Sequence, residues 1–589
     1  MADAVRRGQT QADAILGGME SHWQTQYPAG MPAQIRADAY PSLVALLEQS
    51  FLRHHDQPAC LFMGRALTYG QIDALSRDLA AYLQNLKLAR GDRVALMLPN
   101  VPQVLVAVAA VLRAGLVVVN LSPHLSAPEL EHRLRDSGAR AIILIDAAAA
   151  TLQAVLMPAG GAPTTAVAHT LATTIVTTTG DLLGPLKGVF VNHWMRRGQH
   201  RVPAYELPGA VSFTTALDSG RHRALSAPAA ARDVRTDDIA ALQYTGGTTG
   251  TSKGAVLLHK NLVANLLQCA TWYRPALAQV PADEQLLTVG ALPLHHIFGF
   301  TLVLLLSLHL GSCMLLVPNP HDTAGLLKLL SRHRFHCFPG VNTLFQALAQ
   351  HADSDKVDWR ALRLSVAGAI AVEPATARLW LQKTGSPICQ GYGLSEASPA
   401  VTCNPVDATT FSGHLGLPLP GTDVVLVDDD GAPVPVGTPG EIAIRGPQVM
   451  AGYWQRPDDT ARAMTASGYL RSGDIGVIDD SGALRLVDRK KDLIFVSGFN
   501  VFPHEIEELI AKMPGVRACA AISMPDAKAG EAVKVVLVKS DPDSASPSEA
   551  DVRAYCAAHL TGYKRPKVVE FRGELPRTPV GKVLRRALR

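Results

Sequence analysis

Between Tyr244 and His259 the chain reads YTGGTTGTSKGAVLLH. Glycines let peptide N–H groups close around an anion, threonine and serine hydroxyls add donors, and one lysine adds a cation, so these residue types suit a phosphate. The order is not that of a Walker A loop, which needs Gly-Lys-Ser/Thr leading into a helix. Here Lys253 follows Ser252 and precedes Gly254. The flanks ALQY and AVLLH are apolar and strand-like, so the loop Thr245, Gly246, Gly247, Thr248, Thr249, Gly250 through Lys253 joins strand to strand. That arrangement describes a flap over phosphates better than a cradle at a helix N-terminus. A flexible linker has a similar composition, but linkers are seldom bounded by apolar strands.

Three further stretches carry chemistry. QGYGLSEAS sets Gly391, Tyr392, Gly393, Ser395 and Glu396 after the apolar SPIC. An aromatic ring there can stack on a base, and the carboxylate offers a hard oxygen to Mg2+; a strand-end turn with a capping glutamate has the same look. GYLRSGDIG puts Asp474 on a glycine turn before an apolar strand. Such a carboxylate can accept two hydrogen bonds from a vicinal diol, and an ordinary tight turn reads alike. RTPVGKVLRRALR closes the sequence, with Lys582 after Gly581 in a Pro/Gly turn and an amphipathic helix expected next. Arg585, Arg586 and Arg589 read as a solvated face.

These residues need a large scaffold, and 589 residues supply more than one domain. From about residue 40 to 146 amphipathic helices alternate with continuous apolar strands such as RVALMLP, LVVVN and AIILI, the pattern of a parallel sheet covered on both faces. The alternation returns after residue 255. The reading is α/β: a body over 1–487, with an insertion-like segment at about 183–225 and a β-rich subdomain at about 422–487. A small, mobile α+β domain follows over 488–589, beyond the charged break DRKKD. Hydrophobic residues make up 48% and charged residues 18%, with a net charge of +4, which gives no footprint for nucleic acid. Eight scattered cysteines without CxxC spacing suit reduced thiols and a cytoplasmic location. The uncharged run Ile297 to Val317 is long enough to span a bilayer, but Gly311-Ser312 divides it, so a buried helix followed by a buried strand is expected. Peripheral contact with the inner face of a membrane and the oligomeric state, a homodimer included, are left open.

Taken together, YTGGTTGTSKG, GYGLSEAS, YLRSGDIG, DRKKDLIFVSGFNVFPHEIE and PRTPVGKVLRR resemble, in order, the adenylate-forming acyl-CoA synthetases. HWQTQYPAGMP, GDRVALMLPN, LRAGLVVVN and the segment from LKGVFVNHWMRR to VPAYELPGAVSF look like the bacterial long-chain branch. The resemblance implies an enzyme that couples ATP, with Mg2+, to a medium-to-long-chain fatty acid and passes the acyl group to coenzyme A, for fatty acid degradation or lipid synthesis. It implies that Thr245 to Lys253 hold phosphates, with Thr245 also near the metal, and that Glu396 binds Mg2+. Asp474 would take the ribose, Tyr392 the adenine, and Lys582 the carboxylate and α-phosphate. Arg489 would lie near the ribose, His296 between the acyl and adenylate pockets, Asp488 at a hinge, and Gly498 along the coenzyme A channel. A ligase loading a carrier protein and a non-catalytic binder are the competing readings. Ser395 and His295 stand where Thr and Tyr are usual in the family, and SVAGAIAV carries Ala367 and Ala369 where glycines are common, which predicts a trimmed acyl pocket.

Overall fold

The computed structural model describes residues 23–86, 88–157, 167, 170–197, 202–226, 233–245, 252–480, 482–496, 499–526, 528–578 and 581–589. Two large sheets form the body. The first has eight strands, of which the six from Ile239–Tyr244 through Val117–Asn120, Arg93–Met97, Ala141–Ile145 and Thr173–Thr177 to Val211–Ser212 run parallel. The second has nine strands with a parallel centre that includes Leu287–Gly290, Cys313–Leu316, Cys337–Gly340, Leu364–Ala367 and Ile388–Gly393. Buried runs such as AIILI and VVVN supply the strands, and one continuous apolar core gathers helices against them.

Local signals place the helices. Glu129 accepts from the Ser126 N–H at 2.9 Å to open the helix Ala127–Ser137, and Gly138, at φ +59°, ends it in the left-handed conformation that favours glycine. The uncharged run resolves as expected into helix and strand. Gly299–Leu305 winds as a π-helix, Leu306–Leu310 continues as an α-helix, and Gly311 at φ +70° turns the chain into Cys313–Leu316. Among the described residues no helix is long and apolar enough to cross a membrane.

A four-stranded antiparallel sheet, Asp423–Val427, Gly440–Arg445, Leu470–Ile478 and Leu484–Arg489, follows. The stretch 422–487 is not uniformly β-rich: Pro457–Ala463 is a helix, started by proline and two acidic residues in its first turn, and Gly452–Tyr453 pairs instead with Ala255 and Val256 of the first sheet. Beyond residue 490 the helices Pro503–Ala511 and Glu549–His559 pack in a core with the long hairpin Val516–Asp526 and Gly530–Lys539.

The chain end differs from expectation. No amphipathic helix follows Lys582; Arg585–Ala587 is a single 3-10 turn. Arg585 is not a solvated cation either. It pairs with Asp492 at 3.0 Å and with Glu507 at 2.8 Å, so it fastens the last turn to the helix Pro503–Ala511. An arginine near a terminus reads as solvated only when no distant carboxylate is known to face it.

Candidate active site

The flap sequence does join two strands. Ile239–Tyr244 and Gly254–Leu258 are antiparallel neighbours, and the Thr245 N–H donates to the Lys253 carbonyl at 3.0 Å to close the base of the loop. Gly246, Gly247, Thr248, Thr249 and Gly250 lie outside the described residues. Lys253 points to Asp459, its Nζ 2.8 Å from Oδ1, and stands 5.3 Å from the centre of the Tyr453 ring.

QGYG forms the end of the strand Ile388–Gly393, and Ser395, Glu396 and Ala397 form a 3-10 turn beyond it. Gly393 has a steric reason to be glycine, since a Cβ there would lie 1.9 Å from the Pro399 carbonyl oxygen. Gly391 packs beside the Thr402 carbonyl. Tyr392 and Glu396 are both half-buried, each keeping part of its surface open. Loss of hydration there pushes the Glu396 carboxyl above its ordinary range, and the Tyr453 hydroxyl, donating at 2.8 Å, opposes the shift.

Asp474 sits on the strand Leu470–Ile478 after Gly473, whose φ of +73° needs a glycine. Glu441 accepts from the Gly473 N–H at 3.1 Å and pairs with Arg471 and Lys490, fixing this turn. The buried Asp474 carboxylate is shared: Tyr392 Oη donates to one oxygen at 2.9 Å and Arg489 Nε pairs with the other at 3.0 Å. Tyr392, Asp474, Arg489 and Glu396 therefore meet in one cleft, although their codons are far apart.

His296 follows the strand Leu287–Gly290 and precedes the π-helix. Burial pushes its imidazole down to about 4, so it is neutral near pH 7. Asn100 holds this loop, donating to the Gly290 and Leu292 carbonyls and accepting from the Leu294 N–H. Phe298 stands over Gly368, where a Cβ would come within 3.2 Å of the ring and 3.6 Å of the Gly391 carbonyl oxygen. The loop thus borders the polar cleft. The loop leads into the π-helix Gly299–Leu305 and the helix Leu306–Leu310, whose Leu302, Leu306 and Leu310 line a separate apolar cavity together with Tyr273, Cys337 and Val366.

Ala367 does not line this cavity. Val366 lines it, whereas Ala367, next along the strand, packs in the opposite core with Phe345 and Trp380, because neighbouring residues of a strand face opposite ways. Ala369 adopts φ +68°, so its methyl group is a matter of backbone strain.

Asp488, the expected hinge, is buried and accepts from the N–H groups of Arg489 and His504, each at 2.7 Å, the second at the start of the helix Pro503–Ala511. Lys582 lies in a hairpin whose ends exchange hydrogen bonds: Thr578 N–H to the Lys582 carbonyl at 2.7 Å, and Lys582 N–H to Thr578 Oγ1 at 3.1 Å. Gly581 packs against Thr343 and Ile370 of the body, so the hairpin rests beside the 368–372 loop that borders the cleft. Gly498 lies outside the described residues. Tyr453 and Asp459 were missed by sequence reasoning. GYWQRPDD looks like an ordinary turn, and only the pairing of Gly452–Tyr453 beside the flap gives them meaning.

Comparison with known proteins shows the family. The family described as "AMP-binding enzyme" matches residues 47–454, and "AMP-binding enzyme C-terminal domain" matches 505–582. Over 572 residues the chain is 48% identical to the long-chain-fatty-acid–CoA ligase of Yersinia pestis and 47% identical to that of Escherichia coli O6:H1, covering 97% of this chain and 98% of each relative. Among solved structures, ATP-bound MatB from Rhodopseudomonas palustris superposes with a TM-score of 0.77 at 29% identity, over 93% of this chain and 98% of that one. The chain therefore belongs to the AMP-binding enzyme family, the adenylate-forming enzymes, and stands among their long-chain acyl-CoA synthetases.

Proposed function

We propose that the protein is an ATP-dependent ligase that joins medium-to-long-chain fatty acids to coenzyme A. The observation that carries this reading is the convergence of Tyr392, Asp474, Arg489 and Glu396 at one polar cleft bordered by the loop around His296 and Phe298. In this reading the cleft takes the nucleotide and the carboxylate head, and the apolar cavity lined by Leu302 and Leu306 takes the hydrocarbon tail.

In the first step a carboxylate oxygen attacks the α-phosphorus of ATP and pyrophosphate leaves. In the second the coenzyme A thiol attacks the acyl carbon and AMP leaves. Asp474 is the acceptor for the ribose diol, with Tyr392 and Arg489 fixing its two oxygens, and the Tyr392 ring takes the adenine side of the cleft. The Thr245 to Lys253 flap covers the β- and γ-phosphates. Lys582, brought to the cleft by its hairpin, offsets charge that develops between the carboxylate and the α-phosphate. Neutral His296 separates the acyl and nucleotide sides without adding charge.

The donor set fits Mg2+ arriving on the nucleotide. The described residues contain no cluster of three or more His, Cys, Asp or Glu able to hold a metal alone, whereas Mg2+ needs only one or two carboxylates beside phosphate oxygens. Glu396, raised by burial although Arg489 acts against the shift, is the carboxylate suited to it, with Thr245 as a hydroxyl donor; the ion would supply charge neutralisation on the phosphates.

The unit beyond Asp488 serves as a cap that brings Lys582 in for the first step and withdraws it so that a thiol can enter along the Gly498 loop, with Asp488 absorbing the backbone change. In the state described here Asp488 latches the helix Pro503–Ala511 and Gly581 rests on the body, which suits adenylation. Carrier-protein loading is the less favoured reading, since the relatives named above are coenzyme A ligases.

Peripheral membrane contact from a cytoplasmic location finds support in the helix Pro185–Arg197, where Leu186, Val189, Phe190 and Trp194 are 55–88% exposed. Their spacing lines one face with apolar side chains. Co-sedimentation with anionic vesicles that survives Phe190→Ser/Trp194→Ser would remove that role.

Mass spectrometry of acyl-CoA products from a mixed acid pool tests the ligase reading. Wild type is expected to give medium and long thioesters, and Leu306→Trp, which fills the cavity, to lose the longest ones. Absence of any acyl-CoA, or an unchanged profile in Leu306→Trp, would contradict the function or the cavity's role respectively.

A further inference from the structure

The cation of the flap is engaged. Lys253 Nζ lies 2.8 Å from Asp459 Oδ1 and over the Tyr453 ring. Asp459 belongs to the helix Pro457–Ala463, and the strand just before that helix is tied to the flap. Gly452 pairs with Val256 and Tyr453 with Ala255, two residues after Lys253, while the Tyr453 N–H donates to Thr460 Oγ1 at 2.9 Å. The carboxylate is therefore held at a fixed place relative to the base of the loop. Its other cation, Arg462 at 2.6 Å, lies toward solvent.

We propose that Asp459 is a positioning residue for the flap, the counter-ion that parks the Lys253 ammonium and from which a nucleotide's phosphates must take it. A carboxylate and a phosphate offer the ammonium the same kind of oxygen, so the two compete for one cation. The Asp459 side chain is 17% exposed and that of Lys253 36% exposed, so the pair is partly screened and can be exchanged without a large barrier. The same lysine stands on the ring whose hydroxyl holds Glu396, which places both phosphate-facing groups on one support, Tyr453. Parking keeps the lysine near its point of use when no nucleotide is present, and eases release of pyrophosphate by giving the cation somewhere to return.

The inference rests on reading Lys253 as a phosphate ligand, and the test separates the two. Calorimetric binding of Mg·ATP, without fatty acid or coenzyme A, is measured for wild type, Asp459→Asn, Asp459→Glu, Lys253→Ala and Asp459→Asn/Lys253→Ala. Removing the competing charge should tighten binding about two- to fivefold in Asp459→Asn, the range for a partly exposed pair. Asp459→Glu, which keeps the charge, should bind as wild type does. Lys253→Ala should bind more weakly, and adding Asp459→Asn to it should change nothing further. Unchanged or weaker binding in Asp459→Asn, with Lys253→Ala weakened, overturns the parking role alone. Wild-type binding in Lys253→Ala overturns the phosphate reading beneath it.

Discussion

The Tyr392 hydroxyl donates to one carboxylate oxygen of Asp474 at 2.9 Å, while Arg489 holds the other at 3.0 Å. One buried aspartate thereby joins the end of the second large sheet to the four-stranded sheet and closes a wall of the cleft. Both oxygens keep lone pairs, since a carboxylate has about four acceptor sites.

Asp474→Ala should therefore weaken ATP use through the ribose. Hydrogen bonds to a charged acceptor contribute about 1.5–3 kcal/mol each, so a loss of about tenfold or more in kcat/KM for ATP is expected. The loss should be smaller for 2′-deoxy-ATP, which offers the carboxylate one hydroxyl fewer. Equal losses on both nucleotides would assign Asp474 to the architecture alone.

Lys582→Ala should separate the half-reactions. Adenylation should fall about 10²–10³-fold, the usual effect of removing one group that stabilises transition-state charge. Thioester formation from pre-made acyl-adenylate should largely survive, because the cap has by then withdrawn the lysine. Rapid-quench measurement of each half-reaction checks this, and equal losses in a folded variant would contradict the assigned role.

Stability should fall on mild acidification. Burial holds His259, His296 and His309 down to about 4 and His295 to about 3. The unfolded chain takes up protons near pH 6.5, so between about 6.5 and 4 it binds more protons than the fold does. The stability of the neutral rings is complete above pH 6.5 and is lost as pH falls toward 4, with His259 alone contributing on the order of 3 kcal/mol. Calorimetric Tm values should be nearly level from pH 7.5 to 6.5 and decline from there to 4.5, and a flat or rising Tm over the lower range would show these rings to be accessible to protons.

Much of this was legible in the residues. Continuous apolar runs between capped helices announce parallel sheets, and the flanks of the glycine loop announce a strand-to-strand flap. Gly311 correctly divides the uncharged run. What was not legible depends on pairs distant in sequence. Arg585 reads as solvated until Asp492 and Glu507 face it, and Lys253 reads as a free flap cation until Asp459 is seen. Register alone decides which face of its strand Ala367 occupies, and hence that Val366 and not Ala367 lines the apolar cavity.

The central claim is that acyl-adenylate forms before any thiol is needed. Isotope exchange between labelled pyrophosphate and ATP, run with a long-chain fatty acid and Mg2+ but without coenzyme A, tests it most directly. The account predicts exchange that depends on the acid and is present without coenzyme A. Exchange that appears only when coenzyme A is added would contradict it.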